Sequence, residues 1–221
     1  MLKLYGFDVS NYYNMIKLAM ALKGIEYEAV PTYPNQTPEY LAIVPTGKVP
    51  ALQTSDGMLI ETNVIFDYLE EVSPQMPLIH GSAYEKARIR ELMKMVELYV
   101  ELPARRCHSE AFFGGKVDDI TKSEVKRALL NGMQAISRAA SFSPYLAGDK
   151  LSAADIFFLY SLDLASGVAK KLYNIDLLAE APGAQELMRT LNAMPEVKAI
   201  AKDKRAAGPA FSAYVAQQMK K

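Results

Sequence analysis

The chain has 221 residues, half of them apolar, and its 25 basic and 25 acidic residues cancel to a formal net charge of zero. No basic excess exists to hold a polyanion by its phosphates, and no long uncharged apolar run spans a bilayer, which argues against nucleic acid and membrane as partners. One cysteine, Cys107, and two separated histidines, His80 and His108, exclude an intrachain disulfide and a cysteine-rich zinc site and point to no metal.

The length allows two modest domains with real cores. The opening Met1-Leu2-Lys3-Leu4-Tyr5 enters an apolar strand pattern without the core of a secretory signal, so a cytoplasmic location is expected. Short strands are predicted at Leu2 to Phe7, Tyr27 to Val30, Val49 to Gln53 and Met58 to Ile60. Helices at about residues 11 to 23 and 63 to 72 alternate with them, giving a β-α-β unit followed by a hairpin and a helix. Pro31, Pro34 and Pro38 make the stretch up to Val44 a loop with at most a short irregular helix. Ser73-Pro74 to Gly81 reads as a linker, and beyond it strand signals vanish. Helical spacing covers 83 to 112, 121 to 142, 152 to 171 and 182 to 200, with breaks expected at Gly114-Gly115, Pro144, Pro182-Gly183 and Gly208-Pro209. The predicted organisation is thus an α/β domain over 1–73, a linker over 74–82 and an all-helical domain over 83–221.

Gly47-Lys48-Val49-Pro50-Ala51-Leu52, a turn at Asp56-Gly57 and then Glu61-Thr62 before the repeat Val64, Ile65, Tyr68, Leu69, Val72 form the most informative stretch. A valine before proline is held extended; in the cis form its N–H and C=O turn outward and can pair with another extended peptide. A helix starting at Glu61 or Thr62 offers amides and partial positive charge to a carboxylate, and the Glu61 side chain suits an ammonium beside it. Together they suit a small zwitterionic peptide. The same residues also fit a plain edge strand and an ordinary helix cap, and locally both readings stand. Farther along, Ser152 and Asp155 have capping-box spacing, with Leu151 placed to staple onto Ile156; that motif reads as structural.

Lys3 to Phe7 with Ser10, the helix ending Ala21-Leu22-Lys23-Gly24-Ile25-Glu26-Tyr27-Glu28, the Gly47 to Leu52 segment, Glu61-Thr62 and the Ser152 to Asp155 box resemble, along nearly the whole chain, the cytosolic glutathione transferases. The resemblance implies a thioredoxin-like N-terminal domain, an all-α C-terminal domain, a homodimer, and glutathione as co-substrate. It further implies a cis Val49–Pro50 bond whose valine main chain pairs with the cysteinyl part of glutathione. Glu61 and Thr62 would hold the γ-glutamyl end, with Lys48 near the same ligand. Many relatives carry serine where Thr62 stands; the hydroxyl and N–H are retained.

In this reading the reactive group is the glutathione sulfur, a far better nucleophile as thiolate than as thiol. Counting back from Lys23-Gly24, Ser10 falls where serine-type classes place their catalytic serine, and it is preferred over Tyr5, the position matching the tyrosine-type classes. Asn11 and Tyr12 depart from the residues usual beside that serine, which leaves the class open and makes the Asn11 amide a further candidate donor. Residues 8 to 14 contain no cysteine, so mixed-disulfide chemistry is not expected. A small hydrophobic electrophile is expected between the domains, against Tyr12, Tyr99, Arg105, His108, Phe112 and Phe113, with Arg105-Arg106 suited to an anionic group. An apolar stripe at helical spacing and solvated arginines explain the helical residues equally well. Cys107 is read as a small buried hydrophobe. Glu97 or Glu101 is a candidate to reach the glutathione amine of a neighbouring subunit, although each taken singly reads as an ordinary exposed glutamate. Conjugation of glutathione to an electrophile leads; isomerase or peroxidase chemistry with the same thiolate, or a non-catalytic scaffold, are the alternatives.

Overall fold

A computed structural model describes residues 1–218. The chain forms two units, one of Met1–Pro77 together with the chain from Met194 onward, the other of Leu78–Ala193.

In the first unit β1 (Leu2–Gly6), α1 (Asn11–Lys23) and β2 (Tyr27–Pro31) form the β-α-β segment, followed by α2 (Pro38–Leu41), β3 (Ala51–Gln53), β4 (Met58–Ile60) and α3 (Thr62–Val72). The sheet order is β2-β1-β3-β4, with β1 parallel to β2 and antiparallel to β3, and β3 antiparallel to β4. This is the mixed sheet of a thioredoxin-like fold. The hairpin turns as expected at Asp56-Gly57, whose two N–H groups donate to the Thr54 hydroxyl. Burial of Leu4, Leu52, Met15, Ile16, Leu18, Ile65, Phe66 and Leu69 builds the core between the sheet and the packed pair α1 and α3. Each such side chain contributes about 1.5–3 kcal/mol against the entropy of ordering the chain. Lys23, at the end of α1, is buried as well: its ammonium pairs with Glu70 at 2.8 Å and donates to the carbonyls of Ser73 and Met76, so it closes the C-terminal end of α3.

The second unit holds α4 (Ala83–Val96), a π turn at Glu97–Glu101, α5 (Leu102–Arg105), α6 (His108–Phe113), α7 (Asp119–Ala139), α8 (Ala153–Tyr173), a 3-10 turn at Leu177–Glu180 and α9 (Ala184–Ala193). A reciprocal Ser82–Glu85 capping box starts α4. The sequence suggested one helix over 83–112, whereas the structure has three pieces. Pro103 has no N–H to offer the Tyr99 carbonyl four residues earlier, and the helix widens there instead of continuing. That carbonyl lies against Gly132 of α7, where a Cβ would stand only 2.3 Å from it. α8 is buried on nearly every side through Phe157, Phe158, Leu162, Ala165 and Val168, as befits a central helix. Its start is fixed by the buried Asp155 carboxylate, which accepts from the Leu146 N–H at 2.7 Å, the Ser152 N–H at 2.8 Å and the Ser152 hydroxyl at 2.8 Å.

The last stretch departs from expectation. The helix expected over 182–200 splits before Pro195, which takes a first-turn position where its missing N–H costs nothing, and α10 (Pro195–Gln218) begins there. It then runs through Gly208-Pro209, where a break was expected. Gly208 has no Cβ to clash with the following proline ring, and residues beyond it are anchored on the first unit. Against the expected helical domain over 83–221, α10 groups with the first unit, and the expected bound at residue 221 lies outside the described residues. Substituting Asp155→Ala leaves three buried donors without their acceptor, and denaturant unfolding should report a loss of about 3–5 kcal/mol.

Candidate functional site

Strand register decides which loops share an edge. Tyr5 pairs with Ala51 and Ala51 with Ile60, while Gly6 pairs with Pro31. The segments after β1 (Phe7 to Ser10), after β2 (Thr32 onward), before β3 (Val49-Pro50) and after β4 (Glu61-Thr62) therefore emerge at one edge of the sheet. That edge holds the carboxyl ends of the parallel pair, where open α/β sheets take ligands.

Ser10 caps α1: its hydroxyl accepts from the Tyr13 N–H at 3.4 Å and its own N–H donates to the Phe7 carbonyl at 2.9 Å. Among the described residues no acceptor is recorded for the Ser10 hydroxyl proton. Asn11 is buried in the first turn, and Tyr12 next to it is partly buried. Gly6 is required just before this loop, because a Cβ there would stand 2.1 Å from the Tyr13 ring. Tyr13 itself is buried and its phenol is pushed well above its ordinary pKa, chiefly by burial, so it stays neutral.

The Val49–Pro50 bond is cis, and β3 starts at Ala51, two residues later than expected. Among the described residues no protein group bonds the main chain of Val49. Lys48 is exposed, and its carbonyl accepts from the Tyr40 hydroxyl at 3.0 Å. Glu61 is exposed and has φ 68 and ψ 120, a conformation that a non-glycine residue holds only when its surroundings impose it, and such residues concentrate at ligand clamps. It makes no side-chain cap bond to α3, and Thr62 behind it is buried. Neither α1 nor α3 carries an acid in its first turn, whereas α4, α7, α8, α9 and α10 carry Glu85, Asp119, Asp155, Glu186 and Glu196 there. Within these two first turns no acid opposes an incoming anion, and the Glu61 carboxylate stands at the α3 N-cap itself. An extended peptide with a carboxylate and an ammonium at one end fits this set.

Tyr5 is placed otherwise. Its hydroxyl donates to the Gln53 side chain at 2.9 Å, and its ring packs on the cluster of Tyr40, Val44 and Ala51.

In the helical unit the structure brings Arg105, His108, Phe112 and Phe113 together on α5 and α6. The His108 ring meets Phe112 and Phe113 edge-on at 5.2 and 4.8 Å, and Lys171 sits over the Phe112 face at 4.4 Å. Burial first, and Arg105 second, push the His108 imidazole down to about 4, so it is neutral at physiological pH. Arg105 is held by Glu101 at 2.6 Å. Glu101, expected as an exposed acid, is fully buried on the π turn and engaged within its own chain, and its carboxyl is raised by burial, with Arg105 acting against the rise. Of the two acids only Glu97 keeps some exposure, bonded to Lys94 at 2.6 Å. Tyr99 is 50% exposed on the π turn rather than part of the α5–α6 cluster. Arg106 pairs with Glu124, and Cys107 is buried as expected, 3.6 Å from the Tyr173 hydroxyl. No group of three or more acids, histidines or cysteines suited to a metal occurs among the described residues, and none of their helices is long and apolar enough to cross a membrane.

Sequence reasoning passed over Asp8, Lys17, Phe7 and Tyr33, which join the edge to α10. The aromatic pair Phe211 and Tyr214, at i,i+3 spacing, was the one available signal, and the expected break at Gly208-Pro209 concealed it.

Residues 4–77 match the glutathione S-transferase N-terminal domain and residues 114–204 the C-terminal domain of the same family. A glutathione S-transferase of Pseudomonas putida is 46% identical over 211 residues, 96% of this chain and 96% of that one. A maleylacetoacetate isomerase of Pseudomonas aeruginosa is 26% identical over 95% of this chain and 93% of its own. Among solved structures, a glutathione transferase homologue from Sulfitobacter with bound glutathione superposes with a TM-score of 0.74 at 22% identity, over 91% of this chain and 97% of that one. With both domains matched in order and nearly the whole length shared with a relative at that level of identity, the chain belongs to the glutathione S-transferase family of enzymes.

Proposed function

We propose that the protein holds glutathione at the sheet edge and stabilises its thiolate for attack on a small hydrophobic electrophile. When bound, glutathione supplies the nucleophilic sulfur. Val49 contributes main-chain pairing to the cysteinyl part, Glu61 takes the ammonium, the Thr62 hydroxyl and the first amides of α3 take the γ-glutamyl carboxylate, and Lys48 adds a cation nearby. Ser10 is the proposed donor to the sulfur, because its oxygen accepts the cap bond and so keeps its proton for another acceptor, at the start of a helix with no acid in its first turn. That combination carries the reading. Asn11 is the second choice, and Tyr5 is set aside because its hydroxyl already serves Gln53.

For the electrophile, Arg105, His108 and Phe112 of the helical unit are the proposed contacts. A neutral His108 offers a hydrogen bond rather than a charge, and Arg105, oriented by Glu101, favours an anionic group. Isomerisation is a second reading of the same thiolate, supported by the maleylacetoacetate isomerase relative and by a zeta-class glutathione S-transferase of Euphorbia esula at 28% identity. Homodimerisation is supported by apolar side chains left exposed in each unit, Val64 on α3 and Tyr84, Leu98 and Leu102 around α4 and α5. A cytoplasmic, detoxifying role completes the proposal.

With an aryl halide as acceptor, Ser10→Ala should lower kcat/KM at neutral pH by about 10- to 100-fold, and Tyr5→Phe should leave it within about twofold. Thiolate absorbance of the enzyme–glutathione complex should show the thiol pKa rising by about one to two units in Ser10→Ala, each unit being about 1.4 kcal/mol. Equal activity of Ser10→Ala and the parent would move the role to Asn11. Thr62→Val removes the hydroxyl but keeps the shape; titration calorimetry should find glutathione bound about tenfold more weakly, with kcat at saturating glutathione little changed.

A further inference from the structure

The first unit ends in a helix, α10, that meets α1, the loop after β1 that carries Ser10 and the loop after β2. Lys17, one face of α1 below the cap, places its ammonium 2.7 Å from the Asp8 carboxylate and 2.9 Å from that of Asp203 on α10. Only 12% of the Lys17 side chain is exposed, and the Tyr13 ring lies beside it at 5.8 Å. Asp8 is two residues before Ser10, and its carbonyl accepts from the Asn14 side chain at 2.8 Å. Phe7, whose carbonyl accepts the Ser10 N–H, stacks on Phe211 at 5.3 Å and meets Tyr33 at 4.8 Å. Tyr33, in the loop after β2, stacks face to face on Tyr214 at 4.0 Å, and the Tyr214 hydroxyl donates to the Pro34 carbonyl at 3.1 Å.

Of the residues leading into Ser10, Phe7 is therefore touched directly from α10, and Asp8 is tied to it through Lys17. We propose that α10 is a positioning clamp for the thiolate donor: Asp203, acting through Lys17 and Asp8, and Phe211, acting through Phe7, hold the 7–10 loop so that the Ser10 hydroxyl and the α1 amides face the sulfur. The inference rests on the reading of Ser10 as donor. A clamp is needed there because four residues joining a strand to a helix have few contacts of their own, and a donor displaced by an ångström loses most of its effect. An ion pair with two carboxylates around one mostly buried ammonium resists displacement in direction, and the stacked rings resist it sideways.

Asp203→Asn and Phe211→Ala in the full chain test the clamp, with Ser10→Ala and the exposed α10 substitution Lys202→Gln alongside. The expected result is a loss of about tenfold in kcat/KM at neutral pH for each clamp variant, recovered at alkaline pH because the acid limb of the rate profile moves up by about one unit. Glutathione affinity by calorimetry should change by less than about threefold, and Lys202→Gln should match the parent. A double variant of Asp203→Asn with Ser10→Ala should show no further shift of the acid limb beyond Ser10→Ala alone. Clamp variants that melt earlier yet keep the parent's acid limb would overturn the clamp while leaving Ser10 as donor. A Ser10→Ala profile identical to the parent's would instead overturn the donor reading and the clamp with it.

Discussion

The pairing of Leu4 with Leu52, and of Leu52 with Leu59, runs through the middle of the sheet, and both Leu4 and Leu52 are fully buried. Because side chains alternate faces along a strand, a slip of one residue would turn Leu4 and Leu52 toward the wrong side and forfeit about 1.5–3 kcal/mol for each. The register is thus set by the core and not by any group that touches a ligand. The same register brings Ser10, Val49 and Glu61 to one edge, so hydrophobic burial positions a polar site without a contact of its own.

The helical unit solves a different problem. A continuous helix from residue 83 to 113 would turn Glu101 and Arg105 with the 3.6-residue period; the bulge forced by Pro103 and admitted by Gly132 resets that phase. At the end of the bulge Glu101 is buried, and Arg105, four residues on, bonds to it. A buried carboxylate of this kind is costly unless paired, which ties the arginine down more firmly than a surface partner would. His108, crowded by Phe112 and Phe113, is kept neutral by the same burial. The result is one fixed cation and one uncharged imidazole on adjacent short helices.

Much of this was legible in the sequence, and the reasons for the rest are particular. The β-α-β-hairpin order, the limits of α1, β4 and α3 and the Asp155 start of α8 follow from local signals: period, turn residues and caps. Ser10, Val49 and Glu61-Thr62 could be found because each lies at an element boundary, where residue type reflects backbone geometry. The π turn could not, since it needs Pro103 and Gly132, far apart in sequence, to meet. Glu101 was misread as exposed for the same reason: its phase depends on that bulge. α10 was cut short because a glycine-proline pair normally ends a helix, and only contacts made by Phe211 and Tyr214 beyond it show why this one goes on.

Electrostatics at the edge are governed as much by what is missing as by what is present. The longer helices α4, α7 and α8 place an acid in their first turns, Glu85, Asp119 and Asp155. α1 and α3 do not, and both begin at the edge that collects Val49 and Glu61. Folding alone would be served better by acids there, by about 0.3–1 kcal/mol per helix end. First turns without acids are useful if an anion from outside meets their amides, a carboxylate at α3, where Glu61 at the N-cap suits the adjoining ammonium, and a thiolate at α1. Asp8, the acid nearest α1, is consistent with this: Lys17 holds its charge, so it does not oppose an anion at the helix start. The ammonium that ties the loop to α10 thus also pairs the Asp8 carboxylate near the α1 start, which would favour an anion there.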